Sequence, residues 1–206
     1  MIYGLTGASG VGKSTLANLV ADSLDITYLV TSVTESARRH GYDPVRPMTL
    51  DQRIDLQFHL LDDHAKMIDV TPSPMITDRT PIDFIGYMIA EIDMQSHERL
   101  SSENMTRVSS YVESCLALAC KRYDFLFHLA PLPFYEQAET RPVENVAYQC
   151  HVDLVLRGAL QRLNGRCPAA ILNTTDLDER QEFVHNTIVQ RLDCFERQRR
   201  THRRIH

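Results

Sequence analysis

Residues 7–15 read GASGVGKST and follow the six-residue start MIYGLT. The pattern Gly7-x4-Gly12-Lys13-Ser14 is a phosphate-binding loop, and it constrains the chain more than any other feature. It needs a buried strand before it and a helix after it. Met1–Thr6 is a short apolar strand, and Leu16, Leu19, Val20 and Leu24 then share one helical face. The glycines let the backbone turn tightly and bring N–H groups to phosphate oxygens. The helix N-terminus adds partial positive charge. Gly7, Ala8, Ser9, Gly10, Val11, Gly12, Lys13, Ser14 and Thr15 are therefore the candidate triphosphate ligands. Lys13 is expected to reach the β- and γ-phosphates, and Ser14 to offer a hydroxyl to Mg²⁺. The nucleotide is expected to be ATP, because no Asn-Lys-x-Asp guanine-reading pattern occurs.

The rest of the chain alternates strand and helix signals. ITYLV (26–30), MIT (75–77), FLFHLA (125–130) and AAIL (169–172) read as strands. Thr49 and Gln52 form a capping box ahead of the stripe Leu50, Ile54, Phe58, Leu61, Ala65 and Ile68. Thr80, Pro81 and Asp83 start a helix carried by Phe84, Met88 and Ile92. Further helices run through Met105–Ala119, through Val146–Leu160, and onward from about Asp176. The class is α/β with a mostly parallel five-stranded sheet. The 206 residues suit a single domain spanning 1–206, with a lid segment at about 131–145 and a basic tail at about 196–206.

Charge and cysteine usage narrow the setting. A formal net charge of −5 argues against a generally basic nucleic-acid binder, although the last stretch, RQRRTHRRIH, is strongly basic. Such a run attracts phosphate backbones, so DNA is a candidate partner through the tail, with His202 and His206 in a disordered end. Cys115, Cys120, Cys150, Cys167 and Cys194 are odd in number and lack CxxC spacing, so they are expected to be reduced thiols, mostly in the core. No apolar run reaches membrane-spanning length, and the expected location is cytoplasmic. An oligomer is left open.

The second constellation is TDRTPIDF, residues 77–84. Asp78 ends a short apolar strand, where open α/β sheets bind ligands. A carboxylate there can join the Mg²⁺ shell or take a proton from an attacking hydroxyl. Arg79 adds a planar cation suited to a phosphate or a sugar hydroxyl. Asp153 and Arg157 read as a surface ion pair of little weight.

These motifs, with the later Tyr-Asp-strand-Pro segment YDFLFHLAP (123–131), resemble the P-loop kinases of nucleosides and nucleotides, in the thymidylate-kinase-like group. That group includes deoxynucleoside monophosphate kinases, nicotinamide riboside kinases and the kinases that phosphorylate 5-hydroxymethyluracil within DNA. The resemblance implies a parallel sheet with helices on both sides and a lid arginine on the transferring phosphate. Arg141, in AETRPVEN, matches that arginine, with Glu139 and Thr140 replacing the usual acid and glycine. It also implies an acceptor pocket between the second and third strands. The candidates there are Arg38, Arg39, Arg53, Gln57 and Tyr87, together with Arg79. Asn173 and Thr174 fall where the family covers adenine.

The implied activity is transfer of a γ-phosphoryl group to a nucleotide-type acceptor. Lys13, Asp78, Arg79 and Arg141 would be catalytic, and Ser14 and Asp78 would hold the metal. Two acceptors compete: a 5-hydroxymethylpyrimidine in DNA, and a free deoxynucleoside or its monophosphate. The contrasting class is a nucleotide-dependent ATPase or switch acting on a protein partner. A strand ending in Asp-Glu would favour that class, and this chain has Asp-Arg.

Overall fold

The computed structural model describes residues 1–43, 46–95, 100–133 and 146–205. Along them run β1 (Ile2–Thr6), α1 (Lys13–Leu24), β2 (Thr27–Leu29), α2 (Val33–Arg39), α3 (Leu50–Val70) and β3 (Met75–Thr77). Next come α4 (Pro81–Gln95), α5 (Ser102–Arg122), β4 (Phe125–Leu129), α6 (Val146–Arg162), β5 (Ala169–Leu172) and α7 (Leu177–Ile205). The five strands form one parallel sheet in the order β2-β3-β1-β4-β5. The expected α/β class with a parallel five-stranded sheet is borne out.

Parallel strands covered on both faces need continuous apolar runs. Tyr3, Leu5, Ile76, Leu126 and Phe127 are accordingly fully buried. Leu16 and Val20 of α1 and Ile82, Phe84 and Met88 of α4 close the core. Gly4, opposite Thr77 and Leu126 in the ladder, is tightly enclosed. A Cβ there would sit 2.5 Å from Thr80 Cγ2 and 2.7 Å from Tyr123 Cε1. Only a bare backbone lets Thr80 and Tyr123 pack against β1.

The strands all point the same way, so the turns after β1, β2 and β3 open on one edge of the sheet. This brings Gly7–Gly12, Val30–Ser32 and Asp78–Arg79 together.

Four details correct the sequence reading. A short helix, α2, follows β2, started by Ser32, whose hydroxyl accepts from Glu35 N at 3.2 Å. Asp153 is not a surface acid: it is buried, bonding His128 Nε2 at 2.8 Å and Arg157 Nε at 2.7 Å. The C-terminal tail, expected to be disordered, is a continuation of α7 through Ile205. All five cysteines are free, and Cys150 and Cys194 are exposed rather than in the core. Among the described residues, no helix is long and apolar enough to cross a membrane.

Candidate active site

The loop between β1 and α1 is braced from several elements. Gly12 adopts the left-handed conformation (φ 88°), which turns the chain into α1. Gly7 passes close to β4: a Cβ on it would lie 2.8 Å from Leu129 O. Gly7 N donates to Asp83 Oδ1 of α4 at 3.0 Å. Gln149 Nε2 of α6 donates to Ser9 O at 3.2 Å. Arg180 of α7 is buried and spreads its guanidinium over three carbonyls: Val11 O at 2.7 Å, Ala130 O at 2.8 Å and Thr174 O at 2.7 Å. Lys13 Nζ donates back to Gly7 O and Ala8 O at 2.7 and 2.8 Å, so its charge is held at the loop mouth.

Asp78 faces this loop. Its Oδ2 accepts from Ser14 Oγ at 2.5 Å and from Tyr28 OH at 2.7 Å. Burial, with the neighbouring Asp78 carboxylate, pushes the Tyr28 phenol upward, so it remains a donor. Asp78 Oδ1 is buried without a hydrogen-bond partner among the described residues. Buried carboxylate oxygens are rarely left so. Two hard oxygen groups, Ser14 Oγ and an uncommitted Asp78 oxygen, fit a Mg²⁺ ion that keeps most of its waters. A cavity of about 380 Å³ is lined by Lys13 and Ser14 of the loop and by Thr31, Ser32, Asp78 and Arg79, the two sides meeting at the Ser14–Asp78 hydrogen bond.

The far wall rests on buried polar residues. Arg79 stacks its guanidinium over the half-buried Tyr87, 5.2 Å from the ring centre. His64 of α3, 1% exposed, lies between Thr31 Oγ1 (3.3 Å from Nδ1) and Tyr123 OH (2.8 Å from Nε2). Burial, and then the Arg79 charge, lower its pKa to about 4, while Asp78 opposes them.

That depression has a consequence for stability. The unfolded chain binds the His64 proton below about pH 6.5, and the folded chain only below about pH 4. The stabilisation is fully present above pH 6.5 and is lost as pH falls towards 4, amounting to roughly 3 kcal/mol. Chemical denaturation at pH 7 and at pH 4.5 should therefore show His64→Gln losing less stability on acidification than the parent chain. Equal losses would contradict the buried neutral ring.

The acceptor candidates are dispersed. Tyr87 meets Arg79, as above. Gln57 is buried, and its Oε1 accepts from Tyr111 OH of α5 at 3.0 Å, so it is not on a solvated helix edge. Arg53 is half-buried one turn before it. Arg38 is exposed on α2, and Arg39 pairs with Asp63 at 3.2 Å. None of these four lines the cavity. Thr174 Oγ1 bonds Glu179 at 2.5 Å, where α7 begins. Arg141 lies outside the described residues. Tyr28, Thr31, His64 and Arg180 were missed in the sequence, and Asp83 was read only as part of the start of α4.

A family model described as an AAA domain matches residues 3–180. The chain belongs to that family. No curated protein matches it in sequence. Among solved structures, it is similar to deoxyadenosine kinase from M. mycoides with bound dCTP, at a TM-score of 0.62 and 14% identity, covering 92% of this chain and 100% of that one. It is also similar to the NadR protein in complex with NAD and AMP-PNP, at a TM-score of 0.58 and 15% identity, covering 90% of this chain and 48% of that one. The chain therefore has the fold of the P-loop nucleoside and nucleotide kinases, as the motif resemblance implied.

Proposed function

We propose that the chain is an ATP-dependent, Mg²⁺-assisted phosphotransferase acting on a nucleotide-type acceptor. The observation that carries this reading is the two-sided cavity. A single hydrolytic water needs only about 10–15 Å³ of such space. The space between Lys13–Ser14 and Thr31–Arg79 is about 380 Å³, which suits terminal phosphates together with a second reactant. The deoxyadenosine kinase of the same fold was also solved with the products dCMP and dCDP bound, which supports a nucleoside- or nucleotide-type acceptor.

In the transfer, an acceptor oxygen bonds to the γ-phosphorus as the bond to the β–γ bridging oxygen breaks, releasing ADP. Lys13 would neutralise charge on the β- and γ-phosphates. Ser14 and Asp78 would hold Mg²⁺, which would stabilise charge on the phosphate oxygens. Arg79, steadied by Tyr87, would orient the acceptor, and Arg141 is our candidate for the lid arginine. Asp78 Oδ1 is the atom available to the metal shell or to the proton of a hydroxyl acceptor. A 5-hydroxymethylpyrimidine in DNA stays an alternative to a free nucleoside or monophosphate. Arg197, Arg199 and Arg200, all exposed near the end of α7, favour it, although Arg200 lies 3.6 Å from Glu196.

Label transfer from γ-labelled ATP to deoxynucleosides, deoxynucleoside monophosphates and DNA with or without 5-hydroxymethyluracil tests the reading. Label on one acceptor class is expected, and ATP consumption with no labelled acceptor would favour the ATPase instead. Asp78→Asn should lower kcat by about 100-fold with the KM for ATP changed only a few-fold. An equal loss of ATP affinity would contradict the assigned role.

A further inference from the structure

The stretch GASGVG, residues 7–12, holds three glycines, and each of the three peptides that lead into one is held by a side chain from a different helix. Gly7 N donates to Asp83 Oδ1 of α4, Ser9 O accepts from Gln149 Nε2 of α6 at 3.2 Å, and Val11 O accepts from Arg180 Nη1 of α7 at 2.7 Å. Gln149 and Arg180 are buried, at 7% and 2% exposed. Neither lines the cavity, whereas Gly10 and Gly12 both do. The two side chains therefore hold the loop from behind.

A trans peptide points its C=O and its N–H in opposite directions. With Ser9 O turned to Gln149 and Val11 O turned to Arg180, the N–H groups of Gly10 and Gly12 face the other way, towards the cavity. Both glycines stand in the left-handed region, at φ 81° and 88°. Left-handed residues of this kind curl neighbouring N–H groups into an anion-binding concavity. A peptide that leads into a glycine is also the easiest to flip, because glycine accepts either sign of φ. A flip would turn a carbonyl oxygen onto the anion and replace a donor with an acceptor. Gly7 differs, because its N–H is committed to Asp83.

We propose that Gln149 and Arg180 are positioning residues for the triphosphate: they lock the Ser9–Gly10 and Val11–Gly12 peptides so that the N–H groups of Gly10 and Gly12, and not that of Gly7, bind its oxygens. The inference rests on the phosphotransferase reading and assigns the donors within its loop. Holding a carbonyl needs a donor, which the Gln149 amide and the Arg180 guanidinium both supply. Arg180 has a second task, since it also donates to Ala130 O and Thr174 O and so ties the loop to the ends of β4 and β5. Its contact with Ser9 O makes Gln149 the cleaner position at which to separate aiming from bracing.

The test is titration of the full chain with inorganic tripolyphosphate, followed by calorimetry and by the amide signals of Gly7, Gly10 and Gly12 in nitrogen–proton NMR. The Gly10 and Gly12 amide protons should move downfield as the anion binds, and that of Gly7 should stay. Gln149→Met, similar in length but without a donor, should weaken tripolyphosphate about 5-fold or more. It should abolish the movement of Gly10 and keep that of Gly12. Arg180→Met should do the converse, and Gln149→Met decides alone where that variant does not fold. An unmoved Gly10 or Gly12 in the parent, or joint loss of both movements in Gln149→Met, would overturn the assignment. So would a Gln149→Met chain that keeps both movements and an affinity within about two-fold of the parent. Tripolyphosphate bound through Gly10 and Gly12, with no label passing from γ-labelled ATP to any acceptor, would overturn the phosphotransferase reading and leave the assignment standing. Label transfer by a chain whose Gly10 amide never moves would do the reverse.

Discussion

Replacing Lys13 with alanine should lower single-turnover transfer from γ-labelled ATP by about 1000-fold or more while leaving the fold intact. The size of the effect comes from where the charge sits. Lys13 is 8% exposed and its ammonium is held at the loop mouth by Gly7 O and Ala8 O. It is thus preorganised beside the place where phosphoryl charge redistributes. There a fixed cation is worth far more than in bulk solvent. The cost to stability should be small, on the order of 1–2 kcal/mol, because the lost contacts are hydrogen bonds to two loop carbonyls. Thermal unfolding and label transfer on the same sample separate the two effects. A variant that keeps transfer within about ten-fold of the parent would remove Lys13 from the mechanism.

Much of this arrangement could be read from local patterns. The phosphate loop lies within nine consecutive residues. The stripe from Leu50 to Ile68 repeats at helical spacing, and its Thr49–Gln52 capping box forms as read. Asp78 and Arg79 stand directly after an apolar strand, and sheet geometry then points them at the loop. Pairings that depend on sheet order were out of reach. Tyr28 meets Asp78 across 50 residues and His64 meets Tyr123 across 59, because β2 and β3 are neighbours and α3 packs on α5. Arg180 reaches Val11 across 169 residues. No spacing rule links such residues. Asp153 and Arg157 show the opposite failure. Their i, i+4 spacing was read as a surface pair, and the pair forms, but on a helix face turned to the buried His128. The helix α2 escaped because seven residues are too few for a periodic stripe.

Asp83 should prove the most sensitive position for stability, and even its amide variant should be clearly destabilised. The side chain is fully buried and both oxygens are committed: Oδ1 accepts from Gly7 N at 3.0 Å, and Oδ2 accepts from Thr80 N at 2.7 Å and Thr80 Oγ1 at 2.8 Å. One carboxylate thus caps α4 and fastens the start of the phosphate loop. Asp83→Ala strands two buried N–H groups and should cost about 4 kcal/mol, a large share of an ordinary domain's stability. For a chain of this size that corresponds to a drop in Tm of about 12 °C. Asp83→Asn keeps the shape, but an amide has one acceptor oxygen and one NH₂. Whichever way it turns, the NH₂ must face either Gly7 N–H or Thr80 N–H, donor against donor. One N–H is still stranded, so its loss should be about half that of alanine, and ATP affinity should fall where Gly7 is released from α4. Unfolding curves for both variants, with ATP titrations on the folded fraction, measure this. An asparagine variant within about 1 kcal/mol of the parent would mean that the loop does not depend on a carboxylate at this position.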